Sequence, residues 1–305
     1  MSDSPAIMRD AQAVVERRPP APTGRLALIR RFLRSSVLGS ASLALLIVVA
    51  IAALSAEALT PYDPIETDFS ALKQEPSREH LLGTDTLGRD VMSRLIYGAR
   101  VTLFVGVSSV ILGDGIGFIW GLVSGYVGNR LDEVSQRVLD VLMAFPALIL
   151  ALLLMAGLGA GLHTVIIAIA VTRVPLATRV IRSVVMSAKE QPYVEAARAL
   201  GAGPWRAMIH HLAPQCVAPL LVIASFNLGT AIFAEAALSF LGVGVPPPTP
   251  SWGSMLGSVL AEAFKPPWWL VVFPGLAITL TIVAANLLGD GLRDFLDPKM
   301  KRQVE

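Results

Sequence analysis

Six apolar runs of membrane-crossing length limit what this 305-residue chain can fold into. A helix that spans a bilayer needs about 20 mainly apolar residues, because hydrocarbon offers no partner to an open backbone N–H or C=O. Val37 to Ala56 is an uncharged run of that length, and Val101 to Gly128 is a second, broken only by Asp114. Val141 to Leu162 is a third. Thr164 to Ile181 is a fourth, with Arg173 and Arg179 in its second half. Leu212 to Leu241 encloses Glu235, and Pro266 to Gly289 completes the set. These runs predict an all-α fold class, a polytopic membrane protein with six transmembrane helices. Composition agrees: 54% of residues are hydrophobic and 16% charged, against about a quarter charged in soluble domains.

The basic residues orient the spans. With the N-terminus inside, the inner segments carry nineteen Lys/Arg and the outer segments five, as the positive-inside rule requires. Both termini are therefore expected on the cytoplasmic side. Ala56-Glu57-Ala58 has the look of a small-residue cleavage site. The run before it exceeds the 7–15-residue apolar core of a secretory signal and begins only after residue 36. An uncleaved first span is the expectation.

The spans divide the chain. Residues 1–36 form a cytoplasmic N-terminal tail, polar and proline-bearing up to residue 24. Arg25 to Arg34 then mixes basic residues with Leu26, Leu28, Ile29, Phe32 and Leu33. Two readings stand for it: an amphipathic helix on the inner membrane surface, or positive-inside topology alone. Residues 37–59 hold the first span and 60–98 an extracytoplasmic loop. Residues 99–290 form a core of five further spans with a cytoplasmic loop at 183–214, and 291–305 are a cytoplasmic tail. In the outer loop, Gly83-Thr84-Asp85 and Gly88-Arg89-Asp90 pair glycines with acids, a pattern of tight turns and helix caps. Asp85 and Asp90 are too few for an oxygen-ligand cation site. Between the fifth and sixth spans, Pro246-Pro247-Pro248 and Pro250 stiffen the chain. Trp268 and Trp269 sit where an interfacial aromatic belt is expected.

The loop at 183–214 is a polar island between apolar runs. Met186 to Leu200 reads as a helix ended by Gly201 in a left-handed conformation. Gly203-Pro204 restarts one, with Pro204 as its first residue. Ala196, Ala197 and Ala199 give a smooth surface, and Glu195 and Arg198 add directional polar contacts beside it. Such a helix-turn-helix suits contact with another protein, although a plain arginine-rich inner loop satisfies topology equally.

Glu195-Ala196-Ala197, Gly201 and Pro214 resemble the EAA loop of ATP-binding-cassette importer permeases. Further segments resemble the C-type permease subunit of the dipeptide/oligopeptide family, whose members also carry nickel or glutathione. These are Leu81 to Asp90, Tyr97 to Arg100, Glu235 to Gly242 and Gly289 to Pro298. Together they cover about residues 30–300, and Ala213 departs from the leucine usual before the loop proline. The resemblance implies a type I importer permease architecture in the cytoplasmic membrane of a prokaryote. It implies a homologous second permease subunit, two cytoplasmic ATP-binding subunits and an extracytoplasmic substrate-binding protein. No G-x-x-x-x-G-K-[ST] phosphate loop occurs in the chain. ATP and Mg are thus expected on the partner subunits, with no cofactor here and no nucleic-acid partner. The resemblance makes Glu195, Ala196, Ala197, Arg198, Gly201 and Pro204 the ATPase-coupling segment, and peptides the default cargo.

Asp114 and Glu235 lie within spans, where an ionised carboxylate is costly. Either each lines or gates a translocation path, or each makes a buried hydrogen bond to a neighbouring helix or partner chain. Gly113, Gly115 and Gly117 around Asp114 suit close helix packing. Arg173, Arg179 and Arg182 are expected at the inner surface. Adjacent His210 and His211 point to different helix faces, which argues against paired metal ligation. Cys216 is an inert apolar-run cysteine. No nucleophile–base constellation is present, so catalysis within the chain is not expected. An ion-coupled secondary carrier is the distant alternative, but no internal repeat is evident and two isolated acids make a thin relay.

Overall fold

Long apolar sequences without backbone partners in lipid become helices, and the described residues are helical almost throughout. The computed structural model describes residues 32–33, 36–262 and 265–296. The expected N-terminal tail, most of the Arg25–Arg34 segment and the C-terminal tail beyond residue 296 lie outside the described residues. Among the described residues, five helices are long and apolar enough to cross a membrane. They are α1 (Val37–Leu54), α3 (Val91–Val127), α6 (Leu162–Ala188), α9 (Ala213–Phe240) and α11 (Trp268–Leu296). Shorter helices join them: α2 (Ala56–Leu59), α4 (Asn129–Met143), α5 (Ala147–Leu158), α7 (Pro192–Ala199), α8 (Pro204–Arg206) and α10 (Trp252–Glu262).

The third apolar run is not the single helix its composition predicts. Residues 141–162 divide at Pro146, and α4 and α5 meet at 89°. Proline lacks an N–H, and its ring disfavours helical geometry in the residue before it. The polar face of α4 is tied to α6 instead: Arg182 engages Asp132 and Arg179 engages Asp140. The helix α6 continues to Ala188, beyond the end of the apolar run at Ile181, and Val185 in that extension is fully buried.

Packing between α3 and α6 determines the topology. Gly113, Gly117, Gly121 and Gly125 recur every fourth residue of α3 and form one stripe. A Cβ at Gly113 would lie 2.6 Å from the Ala170 carbonyl oxygen, and one at Gly117 2.5 Å from the Ala177 Cβ. Gly125 meets Val185 at 3.0 Å. Contacts advance together along both sequences, so α3 and α6 run parallel. The chain from Asn129 to Leu158 must therefore return to the opposite end of the bundle, and the bent pair provides the sixth crossing. Gly115 faces open space, so it is not part of the close approach expected of it.

The ends agree with an even number of crossings. Gly39, early in α1, lies against Gly291, late in α11, and Phe32 packs edge-on to Phe295 with ring centroids 5.6 Å apart. Three apolar clusters hold the bundle. One, in its middle, joins α3, α5, α6 and α9 around Val105, Met155, Ile169 and Leu238. A second, at the end where α1 finishes, gathers Ala53, Val91, Trp252, Met255 and Trp269. The third, at the opposite end, contains Leu122, Ile181, Val185, Val194, Leu212 and Cys216. Following the charge distribution, these ends are called outer and inner.

Candidate functional site

The inner helix-turn-helix is built more tightly than its length suggests. The expected helix from Met186 to Leu200 is two helices: α6 stops at Ala188 and Pro192 starts α7. Gly201 ends α7 with φ +88°. Its N–H donates to the Arg198 carbonyl at 2.9 Å, and the Ala202 N–H to that of Ala197 at 3.0 Å. That bond pair satisfies two orphan carbonyls of the last turn and requires a residue at ease in left-handed backbone. Gly203 then caps α8, with Pro204 as its first residue. A widened π-turn over Ala207–Leu212 follows, just ahead of Pro214, which has no N–H to continue an α-helical ladder.

One side chain anchors this unit. Val194 is 0% exposed and packs in the inner cluster with Ile181 and Val185 of α6 and with Met208 and Leu212. Arg198 lies over the ring of Tyr126 at 5.1 Å, a cation–π contact to the end of α3. Glu195, Ala196, Gly201 and Pro204 are exposed, and Ala197 is half-buried. Leu200 is 89% exposed and Trp205 69%. A cleft of about 570 Å³ lined by Ser187, Gln191, Tyr193 and Gln215 opens beside α7. The unit presents an apolar surface outward while its root is fixed against three spans, α3, α6 and α9.

The two intramembrane acids occupy different environments. Glu235 is 0% exposed. Thr102 of α3 donates to its Oε2 at 2.9 Å and Ser239 to its Oε1 at 2.8 Å, so both oxygens are engaged. Asp114, 3% exposed, accepts from Asn227 of α9 at 2.7 Å through Oδ1, while its Oδ2 is buried with no partner among the described residues. Arg173 is midway along α6 rather than at the inner surface, and its guanidinium donates to the Thr230 carbonyl at 3.1 Å. Its sequence signal was an arginine near the middle of an apolar run.

In the outer loop, the acids serve turns and caps. Asp85 accepts from the N–H groups of Leu87 (2.8 Å) and Arg89 (3.0 Å) and from Arg89 Nε (2.7 Å). Asp90 caps α3 through the Ser93 N–H at 2.8 Å and meets His80 at 3.0 Å. Thr84 donates to the Ala71 carbonyl and accepts from the Gln74 N–H at 2.8 Å. Gly83 and Gly88 have φ of +77° and +75°, and a Cβ at Gly88 would overlap the Asp68 carbonyl. The exposed Asp68 carboxyl accepts from the Ser70 hydroxyl and N–H, which hold it below the usual carboxylate range. Trp269 is buried and donates to the Thr84 carbonyl at 3.2 Å, so it closes the loop onto α11 instead of joining an aromatic belt; Trp268 remains exposed. Trp252 likewise donates to the Leu95 carbonyl at 2.9 Å.

The profile of the family described as "Binding-protein-dependent transport system inner membrane component" matches residues 117–302. The chain is 42% identical over 273 residues to the glutathione transport system permease protein GsiD of Pectobacterium atrosepticum, covering 89% of this chain and 90% of that one. It is 44% identical over 262 residues to the di/tripeptide transport system permease protein DppC of Pseudomonas aeruginosa, covering 84% and 86%. With its multi-pass helical bundle and its exposed inner helix-turn-helix, the chain belongs to the binding-protein-dependent transport system inner membrane components and is a permease subunit of an ABC importer of the inner membrane.

Proposed function

We propose that this subunit carries short peptides, glutathione among them, and that α7 with the turn to Trp205 is the contact through which a separate ATPase moves it. The observation behind the coupling role is the contrast within one unit. Leu200 and Trp205 are apolar groups left largely exposed, while Val194 locks the same unit to α6 and to the root of α9. A surface cleft in a nucleotide-binding partner would cover Leu200 and Trp205, with Glu195 and Arg198 fixing the register by directional bonds. Closure of the ATPase pair would shift α7, and the shared cluster would pass that shift to three spans at once. ATP and Mg would be held by those partners, since this chain has no phosphate loop. A homologous second permease would supply the other half of the path, and an extracytoplasmic binding protein would deliver cargo to the outer face. Both termini on the cytoplasmic side complete this arrangement.

Peptide cargo rests on the relatives' names and on the resemblance of the outer-loop and Glu235 segments. Reconstitution of the complete importer tests both parts. Replacing Leu200 by Asp or Gly201 by Asp should abolish uptake of a labelled dipeptide while the complex still inserts and binds ATP. Undiminished uptake in both variants would refute the coupling role. Failure of the unsubstituted importer to accumulate either a dipeptide or glutathione would refute the cargo.

A further inference from the structure

Asp114, Arg173, Asn227 and Thr230 form a polar cluster in the middle of the bundle whose bonding is incomplete. Arg173 stands 11 residues after Leu162 and 15 before Ala188, about 16 and 22 Å from the two helix ends at 1.5 Å per residue. Neither end is within reach of its side chain, so the charge stays at membrane depth. A guanidinium has five N–H donors. Arg173 places one on the Thr230 carbonyl, and its Nε is buried with no partner. Asp114 has its own unpartnered buried oxygen, and among the described residues the two close no ion pair.

The cluster opens outward on the arginine side. Thr230 is exposed, as are Phe233 (60%), one turn further along α9, and Leu176, one turn further along α6. A guanidinium with spare donors on a lipid-facing surface is costly, and such groups face a water-filled cavity or a polar partner. In secondary transporters a midplane location between helices is where solutes are held, and the same chemistry is available here.

We infer that Arg173 receives the C-terminal carboxylate of peptide cargo during passage, an inference that rests on the peptide reading above. A carboxylate matches a guanidinium edge with two parallel N–H···O bonds; the Arg173 Nε is buried, so the terminal nitrogens, one of which bonds the Thr230 carbonyl, supply that edge. Asp114 is the counter-charge when the path is empty, and Asn227 pins it to α9. Arriving carboxylate competes with Asp114 for the same cation and is held weakly, as rapid release requires. Arg173 is thus a specificity-determining residue, and Asp114 and Asn227 are positioning residues behind it.

The test uses the complete importer with its binding protein in liposomes, and compares a dipeptide with its C-terminal amide. The substitution lies in this chain alone, so the binding protein's own preference cancels when each substrate's variant rate is divided by its unsubstituted rate. Arg173→Gln should lower uptake of the free acid about tenfold or more and that of the amide less than about twofold, with Arg173→Lys intermediate. A second measurement covers a binding protein that refuses the amide. In detergent, without binding protein, the free-acid dipeptide should raise the melting temperature of the permease–ATPase complex and the amide should not. Arg173→Gln should lose that shift. Equal loss of both substrates marks Arg173 as a structural or intersubunit contact and overturns the inference, as does an unchanged ratio. If the unsubstituted importer takes up neither peptide, the cargo reading falls and takes this inference with it.

Discussion

Single residues in this protein separate by what surrounds them rather than by type. Glu235 and Asp114 are both buried intramembrane acids, yet one has both oxygens bonded and the other has one bare. Glu235→Ala leaves the Thr102 and Ser239 hydroxyls without their acceptor and opens a cavity, so it should destabilise the complex by about 2–4 kcal/mol. Glu235→Gln should cost less than about 1 kcal/mol, because a hydroxyl can turn to accept from an amide. Melting of the purified complex measures both. Glycines divide in the same way. Gly201→Ala meets no neighbour and carries only the left-handed backbone cost of about 1–2 kcal/mol. Gly88→Ala drives a Cβ into the Asp68 carbonyl and should release the outer loop to protease at sites between Pro61 and Glu79.

At the scale of elements, the α3–α6 pair is the rigid spine. Its four-glycine stripe allows backbone-to-backbone approach, which in lipid replaces the hydrophobic drive available in water. Gly117→Val should separate the two helices and abolish assembly, whereas Gly115→Val, on the open face of the same helix, should assemble normally. Co-purification of the tagged chain with its ATPase partners would separate the two outcomes. Equal behaviour would show that the stripe does not govern packing. The outer end is built on the same economy: Gly253 and Gly257 of α10 lie directly on the backbone of Ala236 and Phe240.

For the whole molecule, the consequence is a bundle whose inner end holds α7 at the junction of three spans. In the proposed coupling Val194 is the mechanical link, and Val194→Asp should disconnect α7 from the inner cluster while leaving the exposed Leu200 and Trp205 unchanged. Uptake should fall at least about tenfold while membrane insertion persists, because a buried unpaired charge costs several kcal/mol locally. Retention of full uptake, with ATPase activity still stimulated by loaded binding protein, would show that α7 moves independently of the bundle.

Much of this was legible from residue order. Apolar run lengths marked the spans, Gly201 and Gly203-Pro204 marked the turn between the inner helices, and the chain's own Gly-acid pairs marked the outer turns. Those features depend on local chemistry: lipid forbids open backbone, glycine accepts left-handed φ at little cost, and proline lacks a donor. Pro146 and Pro192 carried the same kind of signal, and the runs around them were nevertheless expected to continue unbroken, since apolar length alone does not register a bend. Tertiary structure decided the rest. The spacing of Gly113, Gly117, Gly121 and Gly125 was present in the sequence, but only the parallel approach of α6 showed which glycines face a helix. Trp269 and Trp268 are neighbours of one type, separated into buried and exposed by where α11 meets the outer loop. Ser239, one turn along the helix, engages one oxygen of Glu235, but its second bond from Thr102, and the Asn227 bond of Asp114, come from groups more than a hundred residues away, and no local pattern encodes a contact over that separation.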